Sequence, residues 1–183
     1  RNHSSAASDV YKRQVLASVF QVSENNPLVG LEERAKLLNE LGQALIRHKH
    51  MFEFGDALRP GNLYDYFLQR QEKGVLAARE ILIAILKSMG EIWPDGSWVD
   101  SIAIGDAAYH EAVKRSDITD RIVPFHKLSQ WMSYSLIEPL QLAGIKIIDL
   151  DALTGLAEYR NGGLFIDTGT VSYTHLTLPT NGC

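Results

Sequence analysis

Cysteine and long apolar runs are scarce in this chain. The single cysteine, Cys183, is the last of 183 residues, so the chain offers no internal disulfide and no thiolate metal site. No apolar run approaches the roughly 20 residues that a membrane-spanning helix needs. We therefore expect a cytoplasmic protein from a reducing compartment, with no membrane contact.

Positive charge is also scarce. The sequence has 18 basic and 22 acidic residues, with a net charge of −4, and it contains no cluster of lysine and arginine. Binding to a nucleic-acid backbone needs such a basic face. We expect no nucleic-acid partner, whereas a phosphate group could still bind at one local site.

The two ends of the chain differ from its middle. Residues 1–14 (RNHSSAASDVYKRQ) and 171–183 (VSYTHLTLPTNGC) resemble translated sequencing adapter, and we leave both out of the fold argument. Without them the chain loses three basic residues and one acidic residue, which leaves 15 against 21 and a net charge of −6. We expect both ends to pack poorly, as ordinary disordered termini also would. Residues 15–170 are interpreted as the central fragment of a larger domain.

Apolar residues at helical spacing dominate that fragment. They predict helices over residues 26–50, 63–71, 78–89 and 124–137, and a helix or helical turn over residues 151–160. Short strands are predicted over residues 145–150 and 164–167. Asp106 is expected to cap a short helix that carries Tyr109 and His110. The predicted fold class is therefore mainly α with a few short strands.

The helix over residues 124–137 has two distinct faces. One is an apolar stripe, made of Phe125, Leu128, Met132 and Leu136. The other combines a lysine, an amide, two aromatic rings and a carboxylate, which suits the wall of a pocket: Lys127, Gln130, Trp131, Tyr134 and Glu138. Trp131 and Tyr134 could equally be core residues. Pro139 is expected to end or kink the helix near Glu138.

Two short motifs suggest other chemistry and are set aside. His48, His50 and Glu53 include metal-ligating side chains, but two histidines that are two residues apart on a helix point in different directions. Asp167-Thr168-Gly169 matches the aspartic protease motif, which needs a β-barrel around each aspartate. We expect no metal ion and no cofactor.

Longer strings resemble a known family. They are NPLVGL from Asn26, PFHKLSQW from Pro124, YSLIEPL from Tyr134 and LTGLAEYRNGGLFIDTG from Leu153, and together they resemble the bacterial and fungal uracil-catabolism family. That resemblance implies a role in a pyrimidine breakdown route that passes through a ribosylurea species. Full-length members are more than twice as long, which implies that both the beginning and the end are missing here.

A more distant resemblance is to the queuosine-nucleotide N-glycosidase salvage family. Its Phe-Tyr-Lys-x-Ala-Gln helix and Asp-Tyr-Arg motif are matched by the string from Phe125 to Gln130 and by Glu158-Tyr159-Arg160. The resemblance implies a helical fold like that of DNA glycosylases. Ser135 stands where that family has an aspartate, and Arg160 is followed by Asn-Gly-Gly in place of Val-Pro-Gln. The catalytic carboxylate therefore cannot be transferred to that position.

Both resemblances imply a hydrolase that cleaves an N-ribosyl bond in a small-molecule substrate such as ribosylurea or its phosphate. Such a reaction needs a carboxylate near C1′ and a proton donor for the leaving nitrogen. Glu158 or Glu138 is the expected carboxylate, and the expected substrate contacts are Lys127, Gln130, Trp131, Tyr134, Tyr159 and Arg160. The rival hypothesis is a non-catalytic helical binding or scaffold protein of the same pathway.

Overall fold

A computed structural model describes residues 12–93, 96–156 and 168–169. This part is mainly α with short strands, as predicted. The helices are α1 (residues 12–19), α2 (Leu31–Arg47), α3 (Lys49–Phe52), α4 (Leu63–Arg70), α5 (Ala78–Met89) and α6 (Lys127–Leu142), with 3-10 turns at Pro60–Asn62, Gly90–Ile92 and Leu150–Ala152. None of the described helices is both long and apolar enough to cross a bilayer.

Helix α5 is the centre of the core. Its Ile81 and Ile85 are completely buried, and they repeat at the four-residue spacing that places side chains on one face of a helix. Phe52 of α3 and Phe67 of α4 complete the centre of the same apolar cluster. The sequence predicted the bounds of α5 to the residue, because its apolar stripe is wide and uninterrupted.

The described residues form four two-stranded sheets beside the helices. Three are short antiparallel hairpins: β1 (Glu53–Phe54) with β2 (Ala57–Leu58), β4 (Trp98–Val99) with β5 (Ile102–Ala103), and β6 (Ala108–Tyr109) with β7 (Ile122–Val123). The fourth pairs β3 (Val75–Ala77) in parallel with β8 (Lys146–Ile148). Strand β3 leads directly into α5, and β8 closely follows α6. Their pairing therefore places the start of α5 beside the end of α6.

The start of α6 differs from the prediction. We expected the helix to begin at Pro124, but the first helical residue is Lys127 because His126 has a positive φ of 46°. That left-handed conformation cannot continue a right-handed helix. Phe125 is 59% exposed and Leu128 is also exposed. The predicted apolar stripe was therefore wrong at these two residues, while Met132 and Leu136 do pack against the core.

The end of α6 lies five residues beyond the predicted end at Ile137, since Pro139 does not end the helix, which continues to Leu142. A proline there has no N–H to donate to the carbonyl of Ser135 and its ring crowds that carbonyl, at a typical cost of about 3 kcal/mol. We predict that Pro139→Ala raises the free energy of unfolding by about 1 to 3 kcal/mol. Urea unfolding of the variant beside the parent chain tests this, with exposed Gln141→Ala as the control. A loss of stability in Pro139→Ala would contradict it.

Candidate functional site

Asp106 connects a loop to the start of α6. One carboxylate oxygen accepts backbone N–H groups from Leu128 at 2.6 Å and Ser129 at 3.3 Å, and the other accepts the Ser129 hydroxyl at 2.5 Å. Asp106 therefore caps α6 from 22 residues away in the chain. The predicted short helix after Asp106 was wrong, because Ala108–Tyr109 is a strand. Because the capping residue is distant in sequence from the helix that it caps, no local sequence pattern indicates this contact.

His126 lies beside the same carboxylate. Its Nδ1 is 3.7 Å from Oδ1 of Asp106, and the two side chains are only 14% and 12% exposed. Burial alone would raise the pKa of Asp106. The contacts from His126, Ser129 and the Leu128 N–H outweigh burial and lower that pKa to about 2. Asp106 is therefore ionised at neutral pH, and its negative charge faces the imidazole.

This shift gives a prediction about stability and pH. Since the folded pKa of about 2 lies below the ordinary 3.8, the stabilisation is fully present above pH 3.8 and is lost as the pH falls toward 2. Asp106→Asn should lower the free energy of unfolding by about 2 kcal/mol at pH 7, with a smaller difference at pH 3. Urea unfolding at pH 7, 5, 4 and 3 measures it, and exposed Asp100→Asn is the control. A difference that is the same at every pH would contradict the charge argument.

A cavity of about 490 Å³ opens beside His126. Its walls come from the end of α5, the turn Gly90–Ile92 and the β4–β5 hairpin. Three of its lining side chains can carry charge or move protons, namely Lys87, Glu91 and His126. Nδ1 of His126 is buried and has no hydrogen-bond partner among the described residues, so the exposed part of the ring is elsewhere. We call this the His126 cavity.

The backbone around the His126 cavity is tightly packed. Gly105 has a φ of 71°, and a Cβ added there would lie 3.1 Å from Leu86 Cδ2 and 3.8 Å from Nδ1 of His126. A side chain at Gly105 would therefore crowd the cavity wall and strain the backbone. The cavity-lining Glu91 has its Oε2 3.0 Å from Nε of Arg47, with both side chains about 40% exposed. Such an exposed pair contributes little to stability.

The side chains predicted for the polar face of α6 do not all point to one place. Lys127 and Gln130 lie at the same end of the helix as His126. Gln130 is 3% exposed, and its buried Oε1 has no hydrogen-bond partner in the part of the chain that the structure describes. The Tyr134 hydroxyl donates to the carbonyl of Thr154 at 3.1 Å. Tyr134 thus meets the segment that precedes Glu158 in the sequence.

The other two predicted residues of that face lie elsewhere. Trp131 is 60% exposed and lines a separate apolar cavity of about 530 Å³ between α2, the turn Pro60–Asn62 and α6. Glu138 is exposed and follows Lys127 by 11 residues, which is about 16 Å along a helix axis. Neither lines the His126 cavity. Glu158, Tyr159 and Arg160, and the predicted strand over residues 164–167, lie outside the described residues.

The described residues hold no group of three or more histidine, cysteine, aspartate or glutamate side chains placed to bind a metal ion.

The sequence did not indicate Asp106, His126 or Glu91 as site residues. The sequence signal for His126 was its place directly before a predicted helix, in Pro124-Phe125-His126. The residue before a helix often has backbone angles that are not helical. Glu91 follows a helix-ending glycine and gave no such signal.

The fold and the site define a mainly helical protein with a histidine-containing cavity at the start of a helix. By sequence, the chain belongs to the family described as "protein of unknown function (DUF1688)", whose profile matches residues 3–181. That span includes most of both end segments, and their interpretation as adapter stays a prediction. No solved structure matches the chain significantly.

Two curated relatives match most of the chain. Uracil catabolism protein 4 of Lachancea kluyveri is 40% identical over 166 residues, which cover 85% of this chain and 37% of the relative. Protein urg3 of Schizosaccharomyces pombe is 35% identical over 164 residues, which cover 86% of this chain and 36% of the relative. The chain thus spans little more than a third of the length of each of these relatives.

Proposed function

We propose that the full-length protein acts in uracil catabolism as a hydrolase of an N-ribosyl bond, such as that in ribosylurea or its phosphate. Support for the pathway comes from the name of the Lachancea kluyveri relative. The proposed reaction class rests on one observation: the His126 cavity is lined by the carboxylate of Glu91, the imidazole of His126 and the ammonium group of Lys87. The volume of this cavity lies within the roughly 300 to 1,000 Å³ of small-molecule sites.

These groups match what the reaction needs. When the bond between C1′ and nitrogen breaks, its electron pair leaves with the nitrogen, and positive charge develops on the ribose. Glu91 is proposed to stabilise that charge, and His126 to give the leaving nitrogen a proton. Water then adds to C1′ and releases a proton. Asp106 is proposed as a positioning residue, because its negative charge lies 3.7 Å from the buried Nδ1 of His126 and it does not line the cavity.

Glu158 and Glu138 are the rival carboxylates. Support for Glu158 comes from the resemblance of Glu158-Tyr159-Arg160 to a glycosidase motif and from the contact between Tyr134 and Thr154, which lies four residues before it. Glu138 has less support because of its distance from the start of α6. In the rival assignment, Lys127 or Arg160 holds a ribose phosphate, Tyr134 or Trp131 stacks on the leaving group, and Gln130 and Tyr159 contact the substrate.

The test is an assay of the full-length protein with ribosylurea, its 5′-phosphate and related nucleosides. Release of urea or base supports the hydrolase. Binding of one of these compounds without any release supports the rival class, a non-catalytic binding protein of the pathway. Neither release nor binding with any of them would overturn the proposal.

A further inference from the structure

His48 and His50 come together because the helix is interrupted between them. We expected the two rings to diverge on one continuous helix, and this was wrong. Helix α2 ends at Arg47, His48 has φ −109° and ψ 40°, and α3 starts at Lys49. The centroids of the two rings are 6.1 Å apart. A break in the helix has therefore created a pair of imidazoles on one surface.

Both imidazoles line a cavity of about 390 Å³ together with Arg70 and Lys87. We call it the basic cavity. Its one acidic lining side chain, Glu80, has its Oε1 3.5 Å from Nε of Arg79, so its charge is partly offset. In a chain with net charge −4, this convergence of cationic groups is a local exception.

One of the cationic groups, Arg70, is held in place before any ligand arrives. The guanidinium carbon of Arg70 lies 4.3 Å from the centroid of the Tyr66 ring, which restrains the side chain by a cation–π contact. Lys87 is on α5 and lines both the basic cavity and the His126 cavity. Guanidinium, ammonium and imidazole are the donors that proteins use for phosphate.

We propose that the basic cavity binds the phosphate group of a small phosphorylated metabolite, through Arg70, Lys87, His48 and His50. The proposal needs no N-ribosyl hydrolysis, since it concerns binding alone. It differs from the metal-site hypothesis for these histidines, because two of the other lining groups are cations that would repel a metal ion.

The histidines give a direct readout. Burial lowers the pKa of His48, as does the charge of His50; Glu91 raises it, and Arg47 lowers it further. A bound phosphate would favour the protonated imidazole, so the pKa of His48 should rise when phosphate is present. NMR titration of the histidine side chains against pH, with and without inorganic phosphate, measures this in the chain as it stands.

Arg70→Gln and Lys49→Gln form a matched pair of variants. Each removes one positive charge near the histidines, but Lys49 lies between them in sequence without lining the cavity. We expect Arg70→Gln to weaken phosphate binding by about tenfold or more and Lys49→Gln to change it by less than about twofold. Equal weakening in both variants, or no response of His48 to phosphate up to about 50 mM, would overturn the proposal.

Ribose 5-phosphate and ribose, titrated in parallel, identify the ligand. Tighter binding of ribose 5-phosphate than of inorganic phosphate supports a phosphorylated metabolite. If ribose 5-phosphate and inorganic phosphate bind equally, the proposal of a phosphorylated metabolite is overturned, and the cavity is a site for the free anion. Binding of ribose that equals binding of its phosphate would overturn the whole proposal, because the cationic groups would then contribute nothing.

Discussion

Replacing His126 with asparagine in the full-length protein should reduce kcat for N-ribosyl cleavage by about 100-fold or more. Asparagine tolerates the left-handed backbone that His126 adopts (φ 46°) better than most residues do, so the fold around α6 should be kept. It cannot supply a proton, and general acid catalysis typically contributes about 10² to 10⁴ in rate. The rate of urea or base release under saturating substrate measures the effect.

The control for this variant is His110→Asn. His110 is exposed, and its Nδ1 accepts the backbone N–H of Ala112 at 3.1 Å, a local turn contact that an asparagine oxygen can replace. This variant should keep kcat within about twofold, since His110 does not line the His126 cavity. If His126→Asn melts like the parent and retains full kcat, His126 has no catalytic role.

The sequence predicted those elements whose information is local. Helix α5 needs only its own apolar stripe and the glycine that follows it. Helix α2 begins at Leu31, five residues after the predicted start at Asn26, and its first turn holds Glu32 and Glu33, which match the helix dipole. The beginning of α6 could not be predicted in this way. It depends on the backbone of His126 and on a cap from Asp106, and the latter is a contact across the fold.

None of the predicted site residues that the structure describes lines the His126 cavity, and the reason is the same. The polar face of α6 was visible from residue spacing, but spacing does not say which cavity each side chain lines. Trp131 and Gln130 are neighbours in sequence, yet Trp131 is mostly exposed and Gln130 is buried. Glu91 and His126 are 35 residues apart, and only the packing of α5 against α6 brings both to one cavity.

Glu91→Gln in the full-length protein should lower kcat by about 100-fold or more. Glutamine has nearly the same shape but no negative charge, so it cannot stabilise the positive charge that develops on the ribose. The melting temperature should change little, because the exposed ion pair with Arg47 (3.0 Å) is worth less than about 1 kcal/mol. Product release and thermal melting of the variant and the parent protein, measured side by side, test both statements.

Arg47→Gln separates the charge of Glu91 from the ion pair. It breaks the same pair, but the carboxylate stays in the cavity, so kcat should remain within about threefold of the parent value. If Arg47→Gln and Glu91→Gln lose the same amount, the ion pair and not the carboxylate is what matters. Glu158→Gln and Glu138→Gln complete the series. A loss of about 100-fold in Glu158→Gln, with full turnover in Glu91→Gln, would transfer the role at C1′ to Glu158.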